Sequence, residues 1–191
     1  MATLPADLQI FADALDSADA AADALASRVT DPEFFWQPDE GRRWSIALCL
    51  DHLAVANAVY GGSIRGAVDQ ARAKGWTRRE PARPGFFGRM FAASLEPPVK
   101  RRTSAPAKIR PRPVTSRDEI LNAYHQAHDD LRGVLQDAAG IDVNRATFAN
   151  PFVPLIRVRV STGLHVVAAH DRRHLWQAAQ VEHELRSAPR Q

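Results

Sequence analysis

GLHVVAAHDRRHLWQAAQVEHEL, residues 163–185, reads as the last of four helices, beginning near Ser161 or Thr162. At about 100° per residue, His170, His174 and Gln177 fall on one stripe, with Val166 and Gly163 on the same side one and two turns earlier. That stripe faces inward if Val166 does. Arg172 and Arg173 fall away from its centre, and Asp171 lies about a quarter-turn to the other side, so the charged middle is expected outside the core.

Three further segments share the helical period. In the first helix Leu4, Leu8, Phe11, Leu15, Ala18, Ala22, Leu25 and Val29 recur every three or four positions, with Thr3 as a cap and Pro5 in the first turn. After the turn-rich link DPEFFWQPDEGRR, the segment WSIALCLDHLAVANAVYGGSIRGAVDQA (44–71) is the second helix, capped by Ser45. Gly61, Gly62 and Gly66 each weaken it by about 1 kcal/mol relative to Ala, which predicts a bend or an early end. The third helix is SRDEILNAYHQAHDDLRGVLQDA, where Ser116 and Glu119 have capping-box spacing. Its apolar face runs Ile120, Tyr124, Ala127, Leu131, Val134 and Ala138. LIRVRV (155–160) alternates like a short strand, too little to support a sheet alone.

Residues 74–115 separate the second and third helices and hold seven of the thirteen prolines, which cannot continue a helix interior. Only FFGRMFAASL (86–95) within them suits a short amphipathic helix. The net charge of +3 is unevenly distributed: these residues carry eleven Lys and Arg against two Glu, a local +9, which leaves −6 for the rest. Four long helices and no supply of strands predict an all-α, four-helix bundle in one domain over 1–191, with a basic, Pro-rich excursion that permits a crossover. With 45% hydrophobic and 25% charged residues, neither disorder nor a fibrous repeat is indicated. No run reaches the roughly 20 apolar residues of a membrane span, and the opening MATLPADLQIF has no basic n-region or apolar h-region, so a cytoplasmic location is expected. Cys49 is alone and cannot form an internal disulfide.

Seven histidines in 191 residues give a spacing-four pair by chance in roughly one such sequence in five, so HxxxH alone is weak. His52 adds weight, because Leu48, Val55, Ala56 and Val59 surround it on its helix and would otherwise bury an imidazole. Asp51 is expected near solvent. An isolated histidine more often hydrogen-bonds a carbonyl in the core, but three on matching faces of two helices point to a divalent metal. His128 lies on the apolar side of the third helix, suited to a core hydrogen bond or to the site's surroundings. His125, His165 and His183 read as surface or structural.

WSIALCLDHLA and AAHDRRHLWQ together resemble the DinB-like superfamily, in particular its YfiT-like metal-dependent hydrolases. The resemblance spans most of the chain, including the Pro-rich section and NPF (150–152), though only the two histidine segments are specific. It implies a four-helix bundle with an unusual crossover, commonly a homodimer, with His52, His170 and His174 as ligands of a divalent ion. Related members include thiol-dependent transferases and isomerases.

Three neutral histidines leave a divalent ion such as zinc or nickel with an open position, the arrangement of catalytic sites. Such an ion lowers the pKa of bound water or presents a thiolate, so a hydrolase or a transferase using a low-molecular-weight thiol is expected, acting on a small molecule. Gln177 and Cys49 are candidate site-lining groups, and no acidic residue presents itself as a general base. The rival expectation is a non-catalytic binding protein whose basic excursion, with Arg101 and Arg102, contacts nucleic acid or another acidic partner. Prolines interleave those arginines and no recognition motif accompanies them, which argues against nucleic acid. The excursion suits a lid equally well, with Phe86, Phe87, Met90 and Phe91 covering bundle surface or a dimer contact. A membrane-surface role is disfavoured by the shortness of FFGRMFAASL and its single basic residue.

Overall fold

Apolar periodicity becomes burial along every long helix. The computed structural model describes residues 3–99, 104–153 and 155–187; Arg101 and Arg102 lie outside them. The helices are α1 (Ala6–Ser27), α2 (Asp31–Phe35), α3 (Ile46–Ala73), α4 (Phe86–Leu95), α5 (Arg117–Ala138) and α6 (Val160–Ser187). Among the described residues between α4 and α5 lies a 3-10 turn, Ala107–Ile109. Strands β1 (Thr147–Ala149) and β2 (Arg157–Arg159) pair antiparallel, Phe148 opposite Val158. LIRVRV thus divides: its middle is the strand and Val160 already begins α6.

The protein is all-α apart from this hairpin. The long helix α3 packs mainly on α5 and α6, and α1 packs mainly on the same two. The chain neighbours α1 and α3, and likewise α5 and α6, therefore sit across the bundle from one another, whereas α3 and α5 pack side by side, a crossover order. One apolar cluster joins Leu8, Phe11, Ile64, Leu131, Leu135 and Leu164. A second joins Leu25, Phe34, Leu50, Leu53, Tyr124 and Val181. Among the described residues no helix is long and apolar enough to cross a membrane.

Several local expectations need correction. Helix α3 runs unbroken through Gly61, Gly62 and Gly66. At Gly61 an added Cβ would lie 3.3 Å from Leu131 Cδ2, so the glycine serves a close approach of α3 to α5. Thr3 does not cap α1, whose first turn instead hangs on the Pro5 carbonyl, which accepts from Leu8 N and Gln9 N. Ser45 does cap α3, accepting from Leu48 N at 3.1 Å. Ser116 accepts from Glu119 N at 3.3 Å.

The described parts of the excursion are anchored to the bundle. Its start is held by Arg78, which pairs with Asp7, and by Arg78 N, which donates to Gly140 O at 2.9 Å. Helix α4 then lies against α6, where an added Cβ at Gly88 would come 2.6 Å from Thr162 Cγ2. Its other face, with Phe86, Phe87, Met90 and Phe91, is largely exposed, and of these four Phe91 also lines the large cavity. The excursion ends over α3, where Ile109 is buried and Arg112 clasps Asp51.

Candidate metal centre

The capped start of α3 fixes His52 about two turns beyond Ser45, and α6 supplies His170 and His174 one turn apart. The structure brings these three imidazoles together, one ligand atom from each lying within 4.8 Å of the others. Ring centroids are 4.5 Å apart for His52 and His174, 4.6 Å for His170 and His174, and 5.0 Å for His52 and His170. His52 and His174 are buried and His170 is half-buried.

Hydrogen bonding fixes the tautomer of His52. Its Nδ1 lies 2.5 Å from the Ile109 carbonyl, which only accepts, so Nδ1 carries the proton and Nε2 is left with a lone pair. That Nε2 faces His170 Nε2 at 3.2 Å. Two ring nitrogens at this separation need a proton or a cation between them. Nitrogens bound tetrahedrally at about 2.0–2.1 Å from one zinc ion would stand about 3.3 Å apart, so this pair fits a shared ion. Among the described residues His174 Nδ1 is buried with no close, well-aligned hydrogen bond, although Gln177 is a polar neighbour of the ring, and bundle cores rarely retain such an orphan. The donor set thus fits a divalent ion of borderline softness.

The three rings are prepared as neutral ligands. Burial lowers the pKa of His52, against the opposing bond to Ile109. Burial and the charge of His52 lower His170 to about 4. His174 is lowered further still, by burial and by repulsion from His170, His52 and Arg173. Binding an ion would therefore displace little proton at neutral pH. Trp44 flanks the group, its ring 4.8 Å from His52 and 5.6 Å from His174.

His170 and His174 open onto a cavity of about 940 Å³, with Gln177, Val166 and Asn57 in its wall. The excursion supplies part of that wall through Leu95, Ser104, Ile109 and Arg110. Gln177 thus lies where the helical stripe placed it. Cys49 and His128 are not among the described residues lining the cavity. Cys49 is fully buried in the second apolar cluster, and that burial pushes its thiol pKa well up, which leaves it inert.

The charged middle of AAHDRRHLWQ requires the largest correction. Asp171 is 2% exposed and enters the core, accepting from Asn57 Nδ2 at 2.8 Å. His128 Nε2 lies 3.0 Å from the same Asn57 nitrogen and 3.6 Å from Asp171 Oδ2. His128 Nδ1 lies 2.6 Å from Asp19, and Asp19 also accepts from Arg132. Burial alone would lower the pKa of His128, but the neighbouring carboxylates of Asp171 and Asp19 raise it to about 9. Asp51 is likewise buried rather than near solvent, accepting from Arg112 Nε at 2.9 Å and from Arg112 N at 2.5 Å. Arg172 does turn outward, to Glu96 at the end of α4, whereas Arg173 lines the cavity. The sequence signal missed was Asn57, a lone amide in the apolar run AVANAVY, one turn beyond His52.

These features define an all-α protein with three histidines converging from two helices on a large cavity. The model of the DinB superfamily matches residues 14–178, and the chain belongs to that superfamily. Neither the curated proteins nor the solved structures gave a match.

Proposed function

We propose that the protein is a metal-dependent enzyme, a hydrolase or a thiol-dependent transferase, that acts on a small molecule in this cavity. The observation that carries the reading is the convergence of His52, His170 and His174, all held neutral, where two of them face a cavity large enough for a substrate. A divalent ion held by these residues, zinc or nickel, would supply Lewis-acid chemistry to an oxygen or a thiolate. The chain's own groups prepare the site. The Ile109 carbonyl orients His52, as the outer partners of ligand histidines do. Trp44 shields the rings on one side, and the Gln177 amide offers a donor and an acceptor in the cavity wall.

The basic excursion is better read as a strap over this cavity than as an acidic partner's docking arm. Its Arg78 and Arg112 engage Asp7 and Asp51 of the bundle, and its Glu96 is held by Arg172. The exposed apolar face of α4 supports the homodimer expected for this family. The enzymatic reading is tested by loading the protein with zinc or nickel and screening ester, amide and thiol-transfer substrates. Turnover that disappears in His170→Ala is the expected result. Bound metal with no turnover on any of these classes would overturn the enzymatic reading.

A further inference from the structure

The cavity beside the histidines is walled differently at its two ends. Helices α3 and α6 run antiparallel, since Arg43 holds Glu184 near one end and Ile64 lies against Gly163 near the other. Helix α4 runs parallel to α6, with Gly88 beside Thr162 and Glu96 held by Arg172. His170 and His174 therefore stand midway along the cavity. Toward the start of α6, four elements bring Tyr60, Phe91, Phe152 and Val166 to one level of its wall. Tyr60 lies on α3 between Asn57, which meets Asp171, and Ile64. Phe91 lies on α4 between Gly88 and Glu96, and the Phe152 ring is 5.7 Å from that of Tyr60. Polar groups at this end are engaged elsewhere: Asn57 Nδ2 donates inward to Asp171, and Asn150 Oδ1 accepts from Phe152 N and Val153 N. Burial pushes the Tyr60 hydroxyl pKa up to about 12, so the phenol stays uncharged at neutral pH. Toward the end of α6 the wall is polar instead, with Gln177, Gln180 and the ion-paired Arg43 and Glu184.

We propose that the small molecule taken by this cavity carries an uncharged aromatic ring, which enters the end between Tyr60, Phe91, Phe152 and Val166 and leaves the polar part of the molecule beside the histidines. Aromatic walls receive a ring edge-on or offset, as Tyr60 and Phe152 already receive one another at a tilt of 35°. A charged group placed there would be stripped of water against apolar side chains. The inference rests on the reading of this cavity as a substrate site and names the class of that substrate; it needs no bound ion.

Hydrocinnamamide and propanamide share a neutral amide and differ by the ring, so calorimetric titration of each into chelator-treated protein isolates this end of the cavity. Hydrocinnamamide is expected to bind about thirtyfold more tightly, in line with burial of one aromatic side chain. The preference should fall several-fold in Phe152→Ala and in Phe91→Ala and persist in Trp176→Ala, which alters the wall beyond His174. Phe91 is 50% exposed, so its replacement keeps the test open should Phe152→Ala fail to fold. Equal binding of the two amides overturns the proposal, and so does a preference that neither phenylalanine variant moves or that Trp176→Ala abolishes. Zinc uptake by the same samples reports on the metal reading separately. Zinc bound without a ring preference defeats this inference alone, and a ring preference without zinc supports it while defeating the metal reading.

Discussion

Three clustered histidines and a fourth, His128, lie within the same four long helices and hold opposite protonation states. His52, His170 and His174 are neutral, with pKa values lowered mainly by burial. His128 is fully buried, yet is raised to about 9 because Asp171 and Asp19 flank it. Asp171 follows His170 directly in the chain, and its side chain goes to the other histidine. The difference teaches that burial alone does not decide what a core histidine does; the direction of one carboxylate does. A carboxylate turned toward α5 leaves the α6 imidazoles uncharged and their lone pairs available. The other nearby acid, Asp51, is kept occupied by Arg112.

Removing Asp171 attacks this division most severely. Asp171→Ala would leave a charged, fully buried His128 with one carboxylate and Asn57 without its acceptor. The expected loss is about 3–5 kcal/mol of unfolding free energy in a denaturant titration. Metal content of the folded fraction should be unchanged, since Asp171 serves the other histidine. A loss of metal at unchanged stability would reverse the two roles.

A pH series sharpens the same contrast. The folded pKa of His128 lies at about 9, above its ordinary 6.5, so the folded state holds this proton more tightly than the unfolded chain. Its contribution is fully present below pH 6.5 and is lost as pH rises through 9. The denaturant midpoint should therefore decline over that window in the wild type. In His128→Gln, which cannot titrate, the alkaline decline from this source should be missing.

Smaller effects test how each region is positioned. Gly88→Ala sets a methyl against Thr162 and should cost about 1–3 kcal/mol, loosening α4 from α6. Ser45→Ala removes the bond to Leu48 N at the start of the helix that carries His52. About 1 kcal/mol is expected, read as a lower melting temperature with little change in metal affinity.

How much of this is legible in the sequence follows from the range of each interaction. Helical period alone finds all four long helices, and Ser45 and Ser116 mark two starts because a cap is a contact three residues long. The histidine faces follow from the same period once His52 is set beside the α6 pair. Burial of Asp51 and Asp171 does not follow, because Arg112 lies 61 residues from the one and Asn57 lies 114 from the other. The use of Gly61 within α3 follows from the approach of Leu131, again a contact between distant segments. Helix propensity sees only the glycine.

The central claim is that His52, His170 and His174 hold a divalent ion, and elemental analysis tests it most directly. Protein purified without a histidine tag should contain about one zinc or nickel per chain, and added metal should raise the melting temperature of chelator-treated protein. The variant with all three histidines replaced by alanine should fold, contain none, and show no such rise. Wild-type protein without metal, with a melting temperature indifferent to zinc and nickel and equal to that of the triple variant, would contradict the account.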